Sequence, residues 1–368
     1  MPRRILTQRA LNRAFLERQL LLQRSGLDVV GAVEHLIGLQ AQAPKAPYVG
    51  LWTRLTTFEA ADLERALLER RVVRLPLMRS TIHLVSAEDC LRMRRVTQPA
   101  MDRDLAGSRW GKGVVGVDFG ALENETQRVL EQGPLVAADL GRELAKRWRE
   151  RDPGSLAYAA RNTMALVQIP PRGLWVRSGR PLLSPAESWL GKRLEESTSP
   201  HDMIVRYLRA FGPAAVRDMQ TWSGLTGLGP VVDELRPRLE AYEDESGREL
   251  FDVPDGALPD PGTPAPVRFL PEFDNLLLAH ADRTRVIPPE FRDRVVRNLG
   301  VKKTFLVDGF VAGEWKAERR RNVAILIIAA FRRHPKKVRE DIEREGRRLL
   351  AFLEPAAASQ EVRIEVAT

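Results

Sequence analysis

Two glutamines stand one residue apart in "HLIGLQAQAPKAP" (35–47), Gln40 and Gln42 either side of Ala41, where an apolar helical run gives out before Pro44. An amide oxygen is far too weak a base to take a proton at neutral pH. It can hold a water by hydrogen bonding and turn the negative end of its dipole toward a developing cation. Taken alone, the pair reads better as a solvated helix end than as chemistry. The chain offers little competing chemistry. "GKGVVGVDFG" (111–120) lacks the Walker spacing and reads as a loop, and "GLTGLG" (224–229) reads as a tight turn. The five histidines, His35, His83, His201, His280 and His334, are scattered without metal-ligand spacing. No Ser-His-Asp arrangement can be defended from order alone. The single cysteine, Cys90, excludes an internal disulfide and a cysteine-rich zinc site, and reads as a buried small hydrophobe. The expected chemistry therefore uses no metal and no cofactor.

The elements that must position these residues repeat. Residues 8–24 read as an amphipathic helix, and Asp28 can cap a second, "VVGAVEHLIGLQ", running up to the glutamines. Short helices around 47–55 and at 58–70 precede two strand-like runs, "VVRLPLMR" (72–79) and "IHLVS" (82–86). Helices followed by a hairpin make the winged variant of helix-turn-helix. A further helix starts at Ser86, with Asp89 as its capping partner. The order returns over 121–179, ending in an expected hairpin at "VQIPPRGLWVRSG" with Pro-Pro-Arg-Gly at its turn, and again from 200, with helix, Gly-Pro, helix at "EQGPLVAADL" (131–140) and "AFGPAAVRDM" (210–219). Residues 254–266 are dense in Pro, Gly and Asp and mark a linker. Beyond it lie short strands and one amphipathic helix, which suggests a small barrel or curled sheet. The expectation is an α+β chain of winged-helix units over 1–118, 119–195 and 196–256, with a small C-terminal β-barrel over 257–368.

Charge narrows the partner. The 368 residues carry a net charge of +9, and of 58 basic residues only nine are Lys. Arginine pairs bidentately with phosphate, so this bias favours an anionic partner. A GC-rich genome accounts for the choice of Arg over Lys but not for the positive sum. No signal peptide is visible at the N-terminus, and "VAILIIAAF" (323–331) is far too short to span a membrane, so a cytoplasmic protein is expected. Serial winged helices with a positive balance point to DNA, and transcription regulators are the commoner use of such modules.

Five stretches carry a family resemblance over nearly the whole length: "GLQAQAP" (38–44), "MRSTIHLV" (78–85), "FGPAAVRDMQTWSGL" (211–225), "LPEFDNLLLAHADRTRVIP" (270–288) and "FLVDGFVAGEWK" (305–316). In these the chain resembles the winged-helix DNA glycosylases of the AlkZ type. The first stretch is similar to that family's Gln-aliphatic-Gln catalytic motif, and the fourth is the most specific as text. The resemblance implies a C-shaped molecule, three tandem winged helices and a β-barrel enclosing a DNA channel. It implies hydrolysis of the bond between base and deoxyribose, with Gln40 and Gln42 as the catalytic pair.

Two amides suffice only if the substrate is already activated. Alkylation at N7 of guanine, or N3 of adenine, makes the base a cationic leaving group that needs no general acid. The pair thus points to cationic alkylpurines in double-stranded DNA, bulky adducts and interstrand crosslinks included, with Gln42 orienting the water, Gln40 holding that water or the sugar, and Ala41 packing inward. Guanine N7 faces the major groove, so a bulky lesion suits an open channel better than a closed base-flipping pocket. Self-resistance to a DNA-alkylating natural product is the expected setting, and a monomer the expected state. Arg79, Thr81 and His83 are candidate DNA contacts, although His83 reads at least as well as a hydrogen-bonded core histidine. Lys316, Arg319, Arg320 and Arg321 in "WKAERRRN" (315–322) read either as a solvated turn or as a hairpin probing DNA opposite the glutamines. Asp274 and Asn275 can cap a helix at "DNLLLAH". The alternative function is a non-catalytic winged-helix DNA-binding protein such as a transcription regulator, which has no use for the glutamine pair.

Overall fold

Short polar side chains set where the helices begin. Thr7 accepts from the Ala10 N–H to open helix Gln8–Arg18. Asp28 accepts from Gly31 at 2.8 Å to open Val29–His35, and Ser86 from Asp89 at 3.1 Å to open Ala87–Val96. Each such cap is worth about 1 kcal/mol. The computed structural model, which describes residues 3–177, 179–297 and 300–367, is an α+β fold. Among the described residues, helices followed by a hairpin recur three times. Helices Val29–His35, Ala46–Trp52 and Ala60–Leu68 precede strands Val72–Pro76 and Ile82–Ser86. Helices Phe119–Glu131, Ala137–Ala145 and Pro153–Thr163 precede strands Leu166–Ile169 and Leu182–Pro185, so the second strand of this hairpin lies beyond the expected "GLWVRSG" and its connection is longer than Pro-Pro-Arg-Gly. Helices His201–Phe211, Val216–Ser223 and Gly229–Leu235 precede strands Glu240–Asp244 and Glu249–Asp252.

The hairpins do not stand apart. The first two join edge to edge through Arg74 opposite Gln168, so one six-stranded sheet runs from Leu39–Gln40 through both hairpins to Leu135–Val136. The third takes a parallel strand, Ile5–Leu6, from the start of the chain. One hydrophobic cluster links the repeats: Phe15 of the first helix packs with His280 and with Phe211 of the third repeat, and Phe211 packs in turn with Tyr207 and Trp222.

Two further expectations need correction. The helix expected to reach the glutamines ends at His35, and Gln40 lies in a two-residue strand, Leu39–Gln40. Ile37 (φ 50°) and Gly38 (φ 83°) make the break. A Cβ on Gly38 would lie 2.6 Å from Val85 Cγ1 and 2.9 Å from the Leu84 carbonyl oxygen, so only glycine lets the chain turn here. The C-terminal barrel is an open sheet. Its five strands run Arg268–Leu270, Thr304–Val307, Phe310–Arg320, Val323–Ala330, Ser359–Val366, and the two outer strands do not pair with each other. Helix Lys336–Leu353 packs across the sheet and buries Ile342, Leu349 and Leu350 with Phe305, Leu326 and Ile328, which covers the apolar face without closure. The linker over 254–266 is strapped down by the first helix: Arg18 donates to the Ala257 carbonyl, Arg13 to that of Thr263 and Arg9 to that of Pro261. Among the described residues no helix is long and apolar enough to cross a membrane.

Candidate active site at the glutamine strand

Leu39 and Gln40 pair antiparallel with Leu84 and His83. The ladder continues as Ala41 donates to the Ile82 carbonyl at 2.7 Å, and then the backbone leaves. The side chain of Gln42 takes its place, Oε1 accepting from the Ile82 N–H at 3.2 Å. Between them Ala41 is fully buried, and the buried Arg74 holds its carbonyl at 2.9 Å. Gln42 is exposed, whereas Gln40 is only 7% exposed. Only one of the two amides therefore stands freely in solvent.

The buried amide has a partner that sequence spacing cannot show. Strands Val72–Pro76 and Ile82–Ser86 are joined by a turn in which Thr81 N–H donates to the Met78 carbonyl at 3.1 Å. Arg79 (φ 56°) and Ser80 (φ 58°) hold its two central positions, where a type I′ turn normally takes Asn or Gly. Each left-handed non-glycine residue costs on the order of 1–2 kcal/mol. The turn is kept by what it holds. Arg79 donates to Gln40 Oε1 at 2.9 Å and also to the carbonyl of the buried Trp222. Burial, with Arg283 nearby, lowers its pKa to about 10, which leaves it cationic at neutral pH. Ser80 Oγ lies 3.0 Å from both Asp104 and Asn162, and the half-buried Thr81 closes the turn by donating to Met78 O. Residues from all three repeats thus meet at this one turn.

His83 is 2% exposed, with Nδ1 2.9 Å from the Thr81 carbonyl. A carbonyl only accepts, so Nδ1 carries the proton. Burial, helped by the charge on Arg79, drives the ring pKa down to about 3. Unfolded, the ring titrates near 6.5, so between these limits the unfolded chain binds the extra proton and stability falls as pH falls. Replacing His83 by Gln is expected to flatten the pH dependence of the unfolding free energy by about 1.4 kcal/mol per unit between roughly pH 5.5 and 4. Urea melts across that range check this, and an unchanged slope would show that the ring protonates in the folded protein.

The stretch "PEFDN" supports the strand from behind. Asn275 Nδ2 donates to the Gly38 carbonyl at 2.8 Å, fixing the bend before Gln40. Asp274 caps only a single 3-10 turn, Asn275–Leu277, in place of the expected helix. Its larger partner is Arg54, bound through both carboxylate oxygens at 2.8 Å with both side chains wholly buried.

The basic hairpin tip lies on the C-terminal sheet. Lys316 and Arg320 pair with Glu318 at 2.7 and 3.3 Å, and Arg319 pairs with Glu354 at 3.2 Å. These are surface pairs, each worth about 0–1 kcal/mol. Arg321 (φ 54°), exposed at the turn, has no ion pair among the described residues. Below the tip, Trp315 and Ala317 face Lys45, Ala46 and Val49, which follow the glutamines, across a cleft of about 150 Å³. The hairpin therefore faces the helix Ala46–Trp52 that follows the glutamines. Among the described residues no group of three or more His, Cys, Asp or Glu is placed to hold a metal ion.

A family model described as DNA glycosylase AlkZ-like matches residues 33–352. The chain is 25% identical over 335 residues to an interstrand DNA cross-link repair glycosylase of Streptomyces sahachiroi, covering 83% of this chain and 85% of that protein. It is similar in fold to the solved structure of the Streptomyces sahachiroi DNA glycosylase AlkZ, with a TM-score of 0.76 and 19% identity over 99% of this chain and 100% of that one.

Proposed function

Because the chain belongs to the family of AlkZ-like DNA glycosylases, we propose that it hydrolyses the N-glycosidic bond of cationic alkylpurines in duplex DNA, N7-alkylguanine foremost. The observation that carries this is the exposed amide of Gln42 on the strand edge, with no carboxylate among the described residues hydrogen-bonded to either glutamine. Gln42 Oε1 spends one lone pair on Ile82 N–H and keeps the second for a water hydrogen. The base leaves with the bonding electron pair, which neutralises its own positive charge. The water oxygen then bonds to C1′ of the sugar, and its proton passes to solvent. No protein group needs to donate or keep a proton, so an amide is sufficient for a charged lesion and insufficient for a neutral one.

The wider reading follows the same line. The three repeats act as winged helices over 1–118, 119–195 and 196–256 and, with the sheet of 257–368, form a C-shaped monomer around DNA. Lys316, Arg319, Arg320 and Arg321 meet phosphates from the hairpin tip. Interstrand crosslinks and bulky N7 adducts are the substrates that an open channel admits, and self-resistance to an alkylating natural product is the setting. His83 is left out of the DNA contacts because it is buried. The test is incubation with duplex containing N7-methylguanine, followed by alkaline cleavage of abasic sites. Strand scission well above the spontaneous rate is expected; scission at the spontaneous rate favours a non-catalytic DNA-binding protein.

A further inference from the structure

The two glutamines need not do the same thing, and their hydrogen bonds divide them. A guanidinium and a backbone N–H can only donate, so the group facing each must be the amide oxygen. For Gln40 this turns Oε1 toward Arg79 and leaves Nε2 as the free end. Among the described residues no protein group accepts from that Nε2, and it is not sealed from solvent. The arrangement is held rigidly. Arg79 occupies a strained turn, is anchored a second time on the Trp222 carbonyl, and is backed by Gly224 (φ 78°), where a Cβ would lie 3.0 Å from Arg79 N and Cα.

We infer that Gln40 acts as a hydrogen-bond donor to an anionic phosphate oxygen flanking the lesion, and that Arg79 is the positioning residue that fixes its amide in that sense. The inference rests on the glycosylase reading and deepens it. An amide whose oxygen is bound by a cation is polarised to donate more strongly through its NH2. A donor backed by positive charge is poorly placed to stabilise an oxocarbenium sugar and well placed to grip a phosphate. Gln42, bound to a backbone N–H instead of a cation, keeps the acceptor role. The pair is thus a donor and an acceptor, one holding the strand and one holding the water.

The experiment compares single-turnover excision of N7-methylguanine by wild type, Gln40→Glu, Gln40→Ala, Arg79→Met and Arg79→Lys. A carboxylate in place of the amide would keep the bond to Arg79 but has nothing to donate, so Gln40→Glu is expected to lose activity at least tenfold, as Gln40→Ala does. A Gln40→Glu enzyme as fast as wild type overturns the donor role. A neutral methylphosphonate placed in turn at each linkage flanking the lesion should slow wild type at one of them and leave Gln40→Ala no slower, and additive losses overturn the phosphate assignment. Arg79→Met should slow turnover without changing the salt dependence of duplex binding, with Arg79→Lys partly restoring the rate. A salt slope reduced by about one would make Arg79 itself the phosphate contact. One readout needs no turnover: the Gln40 side-chain NH2 signals in an amide NMR spectrum should shift when duplex carrying a tetrahydrofuran abasic site is added. Wild type inert on N7-methylguanine defeats the glycosylase reading, whereas NH2 signals that do not move defeat this one.

Discussion

Gln42→Ala is expected to slow single-turnover excision of N7-methylguanine about 100-fold, close to 2.7 kcal/mol of barrier, with duplex affinity changed less than about threefold. The figure sits at the low end for proton-handling groups because an amide only orients the water. The replacement also frees the N–H of the buried Ile82, which loses a part-buried hydrogen bond. The folded state should therefore lose only about 1 kcal/mol by urea melts. Gln42→Glu keeps an acceptor for Ile82 and adds charge beside the sugar, so it should retain at least the wild-type rate. If Gln42→Ala excises as fast as wild type, the water is held elsewhere and the mechanism fails, although the enzyme would stand.

The largest expected effect on stability comes from a residue that touches no DNA. Removing the carboxylate in Asp274→Ala leaves the Arg54 guanidinium wholly buried with only carbonyl partners, Gln19 and Gly50, and a distant Gln19 Oε1 at 3.5 Å. Such a broken pair costs about 3–5 kcal/mol. The urea midpoint should fall accordingly, and activity should fall with it, because Asn275, one residue on, fixes the Gly38 bend. Replacing both partners by apolar residues, Arg54→Met with Asp274→Leu, should recover a large part of the loss, since no buried charge remains. A double variant no more stable than Asp274→Ala would show that the hydrogen bonds to Gln19 and Gly50, rather than the charge, hold this corner.

The repeats were legible because their signals are local: caps at Asp28 and Ser86, the Gly-Pro breaks, and apolar spacing within each helix. The site itself was half legible. Gln40 and Gln42 stood out only through family resemblance, since a two-residue strand is too short to show alternation. Nothing local tells that Arg79 binds Gln40 or that Trp222, 143 residues away, anchors it. The arginine excess was also only partly a sign of DNA. Arg13, Arg18, Arg54, Arg74, Arg94, Arg268 and Arg285 are buried and bind carbonyls or carboxylates inside the protein. Composition cannot separate a structural guanidinium from one that waits for phosphate. The barrel failed for a related reason: strand patterns show which faces are apolar, not whether a helix or sheet closure will cover them.

The strand Ile5–Leu6 has a consequence for how this molecule is made. Its pairing partners, Glu243 and Asp244, and the contact of Gln8 with Glu245, lie some 237 residues downstream. A ribosome adding 5–20 residues per second needs roughly 12–50 s to supply them after the strand emerges. Through that interval the N-terminal segment has no edge to join, and for most of it Trp222, the anchor of Arg79, does not yet exist. A nascent chain therefore carries both glutamines early but cannot orient Gln40 until the third repeat has been synthesised, so a truncated product ending before it would bear the motif without the site.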